Sequence, residues 1–129
     1  MKYDYFLDKL PMLEIEIFFS NKSVRLLALI DTGADYTIFP RTIAKKLNIP
    51  IENGKIKILE GAGGTILARV HPIKINIGGI KIKTLACFSE KNDVPEQILG
   101  RLDILNHFKL VLDKHHFELI EHKLTLFQD

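Results

Sequence analysis

The chain has 129 residues, enough for a single domain whose core folds alone. With 47% apolar and 26% charged residues it has the balance of an ordinary globular protein, which excludes long disorder. Eighteen Lys and Arg against sixteen Asp and Glu leave a net charge of +2 with the signs interspersed, so the footprint of a nucleic-acid binder is missing.

In chain order, residues 1–12 read as an amino-terminal extension before a single domain over residues 13–129. Asp4 and Asp8 fall where a secretory leader needs an apolar core, so secretion is not expected. Residues 13–19, Leu-Glu-Ile-Glu-Ile-Phe-Phe, alternate with the period of a half-buried strand. Asn21-Lys22-Ser23 supplies a turn, and residues 24–30 return as a second strand ending in Leu-Leu-Ala-Leu-Ile. Pro40 suits a first helical turn, with Ile43, Ala44 and Leu47 on one face of a short helix. Residues 55–59 alternate again.

Residues 65–77 read as one long strand whose apolar phase changes midway. Ile66, Ala68 and Val70 hold even positions, whereas Ile73, Ile75 and Ile77 hold odd ones. A one-residue change of phase beside Pro72 predicts a β-bulge or sharp bend. Gly78-Gly79 suits a tight hairpin turn, with residues 80–88 as the returning partner. A second short helix is expected over about residues 102–107, and residues 109–127 read as two strands around Asp113-Lys114-His115. The class is mostly β: a small closed or partly closed barrel with one or two short helices.

Chemistry concentrates in Leu29-Ile30-Asp31-Thr32-Gly33-Ala34-Asp35-Tyr36-Thr37. A carboxylate stands at the end of the most apolar strand, where burial is expensive. The following Thr offers a hydroxyl, and Gly lets the backbone turn sharply beside the acid. Taken alone, the tripeptide is compatible with an ordinary strand end. The whole segment, however, resembles the active-site motif of the retropepsin-like (retroviral-type) aspartic proteases: two apolar residues, Asp-Thr-Gly, Ala or Ser, then Thr or Ser three positions on. Two further landmarks follow in that family's order. Gly61-Ala62-Gly63-Gly64 lies between strand signals where the family carries a Gly-rich flap, and Ile98-Leu99-Gly100-Arg101 matches its apolar-apolar-Gly-Arg segment.

The resemblance implies the closed acid-protease barrel and an aspartic endopeptidase. Such chemistry needs two carboxylates across one water, and the chain holds one Asp-Thr-Gly, so an active enzyme requires a homodimer with an Asp31 from each subunit. Two carboxyls about 3 Å apart share one proton, for which aspartic proteases are the standard illustration. Asp31, Thr32 and Gly33 are the implied catalytic residues, with the Thr32 hydroxyls bonding across the dimer. Ala34, Asp35, Gly61, Ala62, Gly63, Gly64 and Ile66 are the implied substrate-binding residues for an extended peptide or protein. Asp35 and Arg101 are the implied structural ion pair near the dimer interface. Ala34 stands where relatives can carry Ser, and loss of that hydroxyl favours work closer to neutral pH. The same fold also accommodates a catalytically weak or inactive dimer that binds peptides or acts as a scaffold, or an enzyme that processes its own precursor.

Other chemistries find little support. His115, His116 and His122 lie near the tail, but neither His-Glu-x-x-His nor a Cys/His spacing occurs, so no metal and no cofactor is expected. Cys87 reads as a small buried hydrophobe, and no Ser has a nucleophile-elbow context. Its solitude excludes an internal disulfide and suits a reducing compartment, so a cytoplasmic location is expected. A membrane span needs roughly 20 apolar residues. The longest uncharged run, residues 61–68, has eight, and no membrane partner is expected.

Overall fold

The computed structural model describes residues 1–61, 64–91 and 97–122. Strands β2 (Met12–Phe19) and β3 (Lys22–Ile30) form an antiparallel hairpin. Leu13, Ile15 and Ile17 of β2 are buried while Glu14 faces out, the alternation that the sequence shows. The turn is Ser20-Asn21, one residue earlier than expected, because Phe19 pairs directly with Lys22. Two residues must then reverse the chain, and Ser20 adopts φ +53° to do so.

Strand β4 (Ile38–Phe39) leads through Pro40 into helix α1 (Arg41–Lys46). Ile43, Ala44 and Leu47 bury the expected face. The helix stops where Asn48 turns left-handed at φ +55°, with Asn48 N–H donating to the Lys45 carbonyl and Ile49 N–H to that of Ala44. This is the double bond of a Schellman ending. The second expected helix is shorter than the sequence suggests: a turn over residues 101–104, then a 3₁₀ turn at Leu105–His107. Leu105 N–H and Asn106 N–H bond five residues back, to Gly100 and Arg101. Strand β9 (Phe108–Leu112) then starts at once and leaves no room for regular helix.

Strands β5 (Lys55–Gly61), β6 (Gly64–Ile77), β7 (Ile80–Ser89) and β8 (Ile98–Leu99) complete the larger sheet, in the order β2-β3-β8-β4-β7-β6-β5. Strand β6 also pairs with β2, through Glu16↔Asn76 to Phe18↔Lys74, so the sheet returns on its first strand. Gly78 and Gly79, at φ +56° and +92°, make the expected tight turn.

No bulge accompanies the phase change in β6. Its register with β7 runs unbroken from Ala68↔Ser89 to Ile77↔Ile80. The pattern changes because the buried face changes. Near the tip, Ala68 on the even face is buried against Ile38 and Cys87; further on, Ile73, Ile75 and Ile77 on the odd face enter the main core. One strand in continuous register with β7 thus serves two cores.

A three-stranded sheet, β1 (Lys2–Asp4), β10 (His116–Glu121) and β9, covers the same main core through Phe117 and Leu119. The first residues are stitched into it: Tyr3 stacks on Phe117 at 5.2 Å, and the Met1 amino group donates to the Leu119 carbonyl at 2.9 Å. The expected tail strands are present as far as Glu121, and residues 123–127 lie outside the described residues. Among the described residues, no helix is long and apolar enough to cross a membrane.

Ile75 is fully buried, whereas Ile58 on the outer face of β5 is 63% exposed. Ile75→Ala is expected to lower the unfolding free energy by about 2–5 kcal/mol. Ile58→Ala should change it by less than about 0.5 kcal/mol, both read by urea unfolding.

Candidate active site

The site grows from the end of β3. Ile30 is the last buried side chain of that strand, and Asp31 leaves it at a partly exposed position. A turn follows, in which Ala34 N–H donates to the Asp31 carbonyl at 3.1 Å. Within it Gly33 N–H donates to Asp31 Oδ1 at 2.9 Å, fixing one carboxylate oxygen from below. A Cβ on residue 33 would sit 3.3 Å from that same oxygen, so glycine keeps space around the acid. Thr32 is exposed, and its hydroxyl makes no hydrogen bond among the described residues.

Strand β8 locks this turn in place. It lies between β3 and β4, parallel to β3 through Leu29↔Ile98 and Ile30↔Leu99, and facing β4 through Ile38↔Ile98. Asp31 N–H continues the ladder by donating to the Leu99 carbonyl at 3.2 Å. The chain therefore leaves β3, forms the Asp31 turn, and re-enters the sheet on the far side of β8. Gly100 makes the crossing possible, because a Cβ there would collide with the Tyr36 carbonyl carbon and lie 2.6 Å from Thr37 N.

The buried Thr37 ties the two segments together. Its hydroxyl donates to Asp103 Oδ1 at 3.0 Å and accepts from Gly100 N–H at 3.0 Å, while its own N–H donates to Asp103 Oδ2 at 2.9 Å. A charged acceptor satisfies two buried donors at once. Asp103 is absent from the residues that sequence reasoning singles out. Its signal was a carboxylate three residues beyond Gly100, opposite a buried Thr.

Asp35 and Arg101 stand side by side, with Arg101 Nη2 3.7 Å from Asp35 Oδ1. Both side chains are about half exposed or more, so solvent screens the pair, and such surface pairs contribute about 1 kcal/mol or less. Backbone bonds hold the segments more firmly: Arg101 N–H donates to the Ala34 carbonyl and Leu102 N–H to that of Asp35, at 2.8 and 2.9 Å.

Above this turn, β5 and β6 form a long hairpin paired as far as Gly61↔Gly64, with Gly64 at φ +113°. Ala62 and Gly63 lie outside the described residues. The inner face of the hairpin carries Leu59 and Ile66, which pack with Tyr36, Val70 and Ile98 against Ile38, Ala68 and Cys87. Lys57, on that same face, places Nζ 3.6 Å from the centre of the Tyr36 ring. Neither Lys57 nor Tyr36 was singled out from sequence, since only the hairpin register sets them together.

The remaining reactive groups lie elsewhere. Cys87 is buried, and desolvation pushes its thiol up to about 11. His71 is buried, with Nε2 2.9 Å from the Ile51 carbonyl, so that nitrogen carries the proton and donates. His115, His116 and His122 are exposed, and His116 pairs with Asp4 at 3.3 Å. Among the described residues, no cluster of His, Cys, Asp and Glu converges as metal ligands.

Comparison with known proteins gives this geometry its class. Residues 15–107 match the family described as "gag-polyprotein putative aspartyl protease", and the chain belongs to that family. Its fold is the retropepsin-like fold. It is similar to the EIAV protease, solved with the inhibitor HBY-793, at 31% identity and TM-score 0.65 over 85% of this chain and 100% of that one. It is also similar in fold to a retropepsin-like aspartic protease from Rickettsia conorii, at 22% identity and TM-score 0.69 over 91% of this chain and 95% of that one. None of the curated proteins compared matches the sequence.

Two outcomes test this description. Asp103→Ala orphans the buried Thr37 donors and is expected to cost about 1–3 kcal/mol in urea unfolding, whereas Arg101→Gln should cost about 1 kcal/mol or less. Burial and the raised thiol pKa both disfavour the Cys87 thiolate, so at pH 8 iodoacetamide should label the folded protein far more slowly than the urea-unfolded chain, as mass spectrometry would show.

Proposed function

We propose that the protein is an aspartic endopeptidase that works as a homodimer, with one Asp31 contributed by each subunit. The observation that carries this reading is a half-site: a carboxylate oriented by Gly33 N–H on a surface turn of a retropepsin-like chain, beside a Thr32 hydroxyl that makes no hydrogen bond among the described residues of its own subunit. Bringing two such turns together about a twofold axis supplies the second carboxylate and a partner for each Thr32.

The chemistry follows from the pair. Two carboxyl groups within hydrogen-bond reach of one water share a single proton. The ionised member takes a proton from that water, whose oxygen attacks the scissile carbonyl. The protonated member donates to the carbonyl oxygen as it gains charge. Proton return to the amide nitrogen then breaks the C–N bond and releases the two peptides. Ala34 brings no hydroxyl to the carboxylates, which favours activity from mildly acidic to near-neutral pH.

The substrate is an extended peptide, bound as an added strand between the Asp31 turns and the β5–β6 hairpins. Leu59 and Ile66 give the hairpin an apolar inner face, and Gly61 and Gly64, its last described pair, favour opening for entry. The Asp35–Arg101 pair serves to hold the turn rather than to touch reacting atoms.

A mixed peptide library incubated across pH 4 to 8, with products identified by mass, tests the reading. Wild type should cleave, with a rate rising as the square of protein concentration near the dimer dissociation constant. Asp31→Asn should lose on the order of 10³-fold or more while keeping the circular dichroism and sedimentation of wild type. Persistent cleavage by Asp31→Asn would remove Asp31 from the chemistry, and a dimeric wild type that binds peptides without cutting them would make the protein a binding module.

A further inference from the structure

We propose that Lys57, held over the Tyr36 ring, forms a subsite that selects substrates with a Glu or Asp side chain. The inference rests on the peptide-binding reading above and adds a substrate class to it.

The argument starts from where the charge is placed. Lys57 pairs with Ala68 and Leu59 with Ile66, so both Lys57 and Leu59 project from the inner face of the hairpin, toward the segment that carries Asp31. Most of that face is apolar. Two cations stand on it: Lys55, paired with Val70 at the root of the hairpin, is exposed, whereas Lys57 is half-buried. The aromatic face of Tyr36 receives its ammonium at 3.6 Å, a cation–π contact. This fixes the head of a long, flexible side chain in one place.

The ring does not neutralise it. Among the described residues Lys57 has no carboxylate partner. The nearby acids are already engaged: Asp35, next to Tyr36 in the chain, lies 3.7 Å from Arg101, and Asp103 accepts from Thr37. Glu60 lies on the opposite, outward face of β5. An oriented ammonium with donors to spare, beside the apolar Leu59 and Ile66, is complementary to a carboxylate brought in by a bound strand.

Tyr36 lies in the segment that begins at Asp31, directly before the buried Thr37, so the pair and the carboxylate share one segment. In a symmetric dimer Lys57 occurs twice, once on each side of the scissile bond. The preference for an acidic residue should therefore appear at two positions equally distant from the bond.

A set of fluorescein-labelled decapeptides, apolar at the centre, with one Glu or its Gln counterpart moved through every position, provides the test. Cleavage by wild type gives kcat/KM, and anisotropy with Asp31→Asn gives affinity without turnover. Glu should be favoured about fivefold over Gln at the two symmetric positions, with the ratio shrinking toward one in 0.5 M NaCl. Lys57→Met, which keeps the stem over Tyr36, should abolish the ratio while still cutting the Gln peptides; Lys57→Arg should retain it.

Equal handling of Glu and Gln peptides, or a preference that survives Lys57→Met, would overturn the inference while leaving proteolysis intact. Glu-selective binding without cleavage would support the subsite and remove the enzymatic reading. Absence of binding by any peptide would remove both.

Discussion

The position of a two-residue strand, β8, is the constraint on which the rest depends. By lying between β3 and β4 it forces the chain to cross over it, and the crossing is the turn that presents Asp31. Each local feature serves that geometry. The Asp31 N–H is consumed by the Leu99 carbonyl, Gly100 allows the two segments to touch, and Thr37 and Asp103 satisfy the donors that the crossing buries. A carboxylate at the end of an apolar strand would otherwise have no reason to hold one orientation.

The second organising element is β6. Its far half is anchored in the main core by Ile73, Ile75 and Ile77, and its near half forms the hairpin above the Asp31 turn. A single unbroken register with β7 therefore connects the main core to the hairpin. The root of the hairpin is further secured by Arg69, whose Nη1 donates to the Glu52 and Gly54 carbonyls just before β5. The largely apolar inner face of the hairpin, with Leu59 and Ile66, packs with Tyr36 of the segment that carries Asp31. That combination suits an extended chain recognised mainly through its backbone.

Much of this was legible in the sequence, and for definable reasons. Period-2 alternation in residues 13–19 and 55–59, the Gly-Gly turn and the Asp-Thr-Gly segment each depend on neighbours close in the chain. The misread features depend on distant ones. The phase change in β6 reads as a bulge or sharp bend, of which the bulge is absent, because a sequence shows which residues are apolar, not which face of a sheet is covered. The segment after Gly100 carries helix-compatible residues, yet Asp103 is drawn to Thr37 and the helix does not propagate. Residues 1–12 read from sequence as an amino-terminal extension with no packing partner in view, and Tyr3 stacks on Phe117, more than a hundred residues away. Asp103, Tyr36 and Lys57 escaped notice because their meaning lies in pairs joined across the fold.

The central claim is that one chain supplies half of a site. Mixing wild type at fixed concentration with increasing Asp31→Asn, and following cleavage of a single peptide substrate, tests it most directly. As subunits exchange, wild-type chains become trapped in mixed dimers holding one carboxylate, and activity should fall toward zero with excess mutant. Activity that stays constant however much Asp31→Asn is added would show that each chain acts alone and would contradict the account.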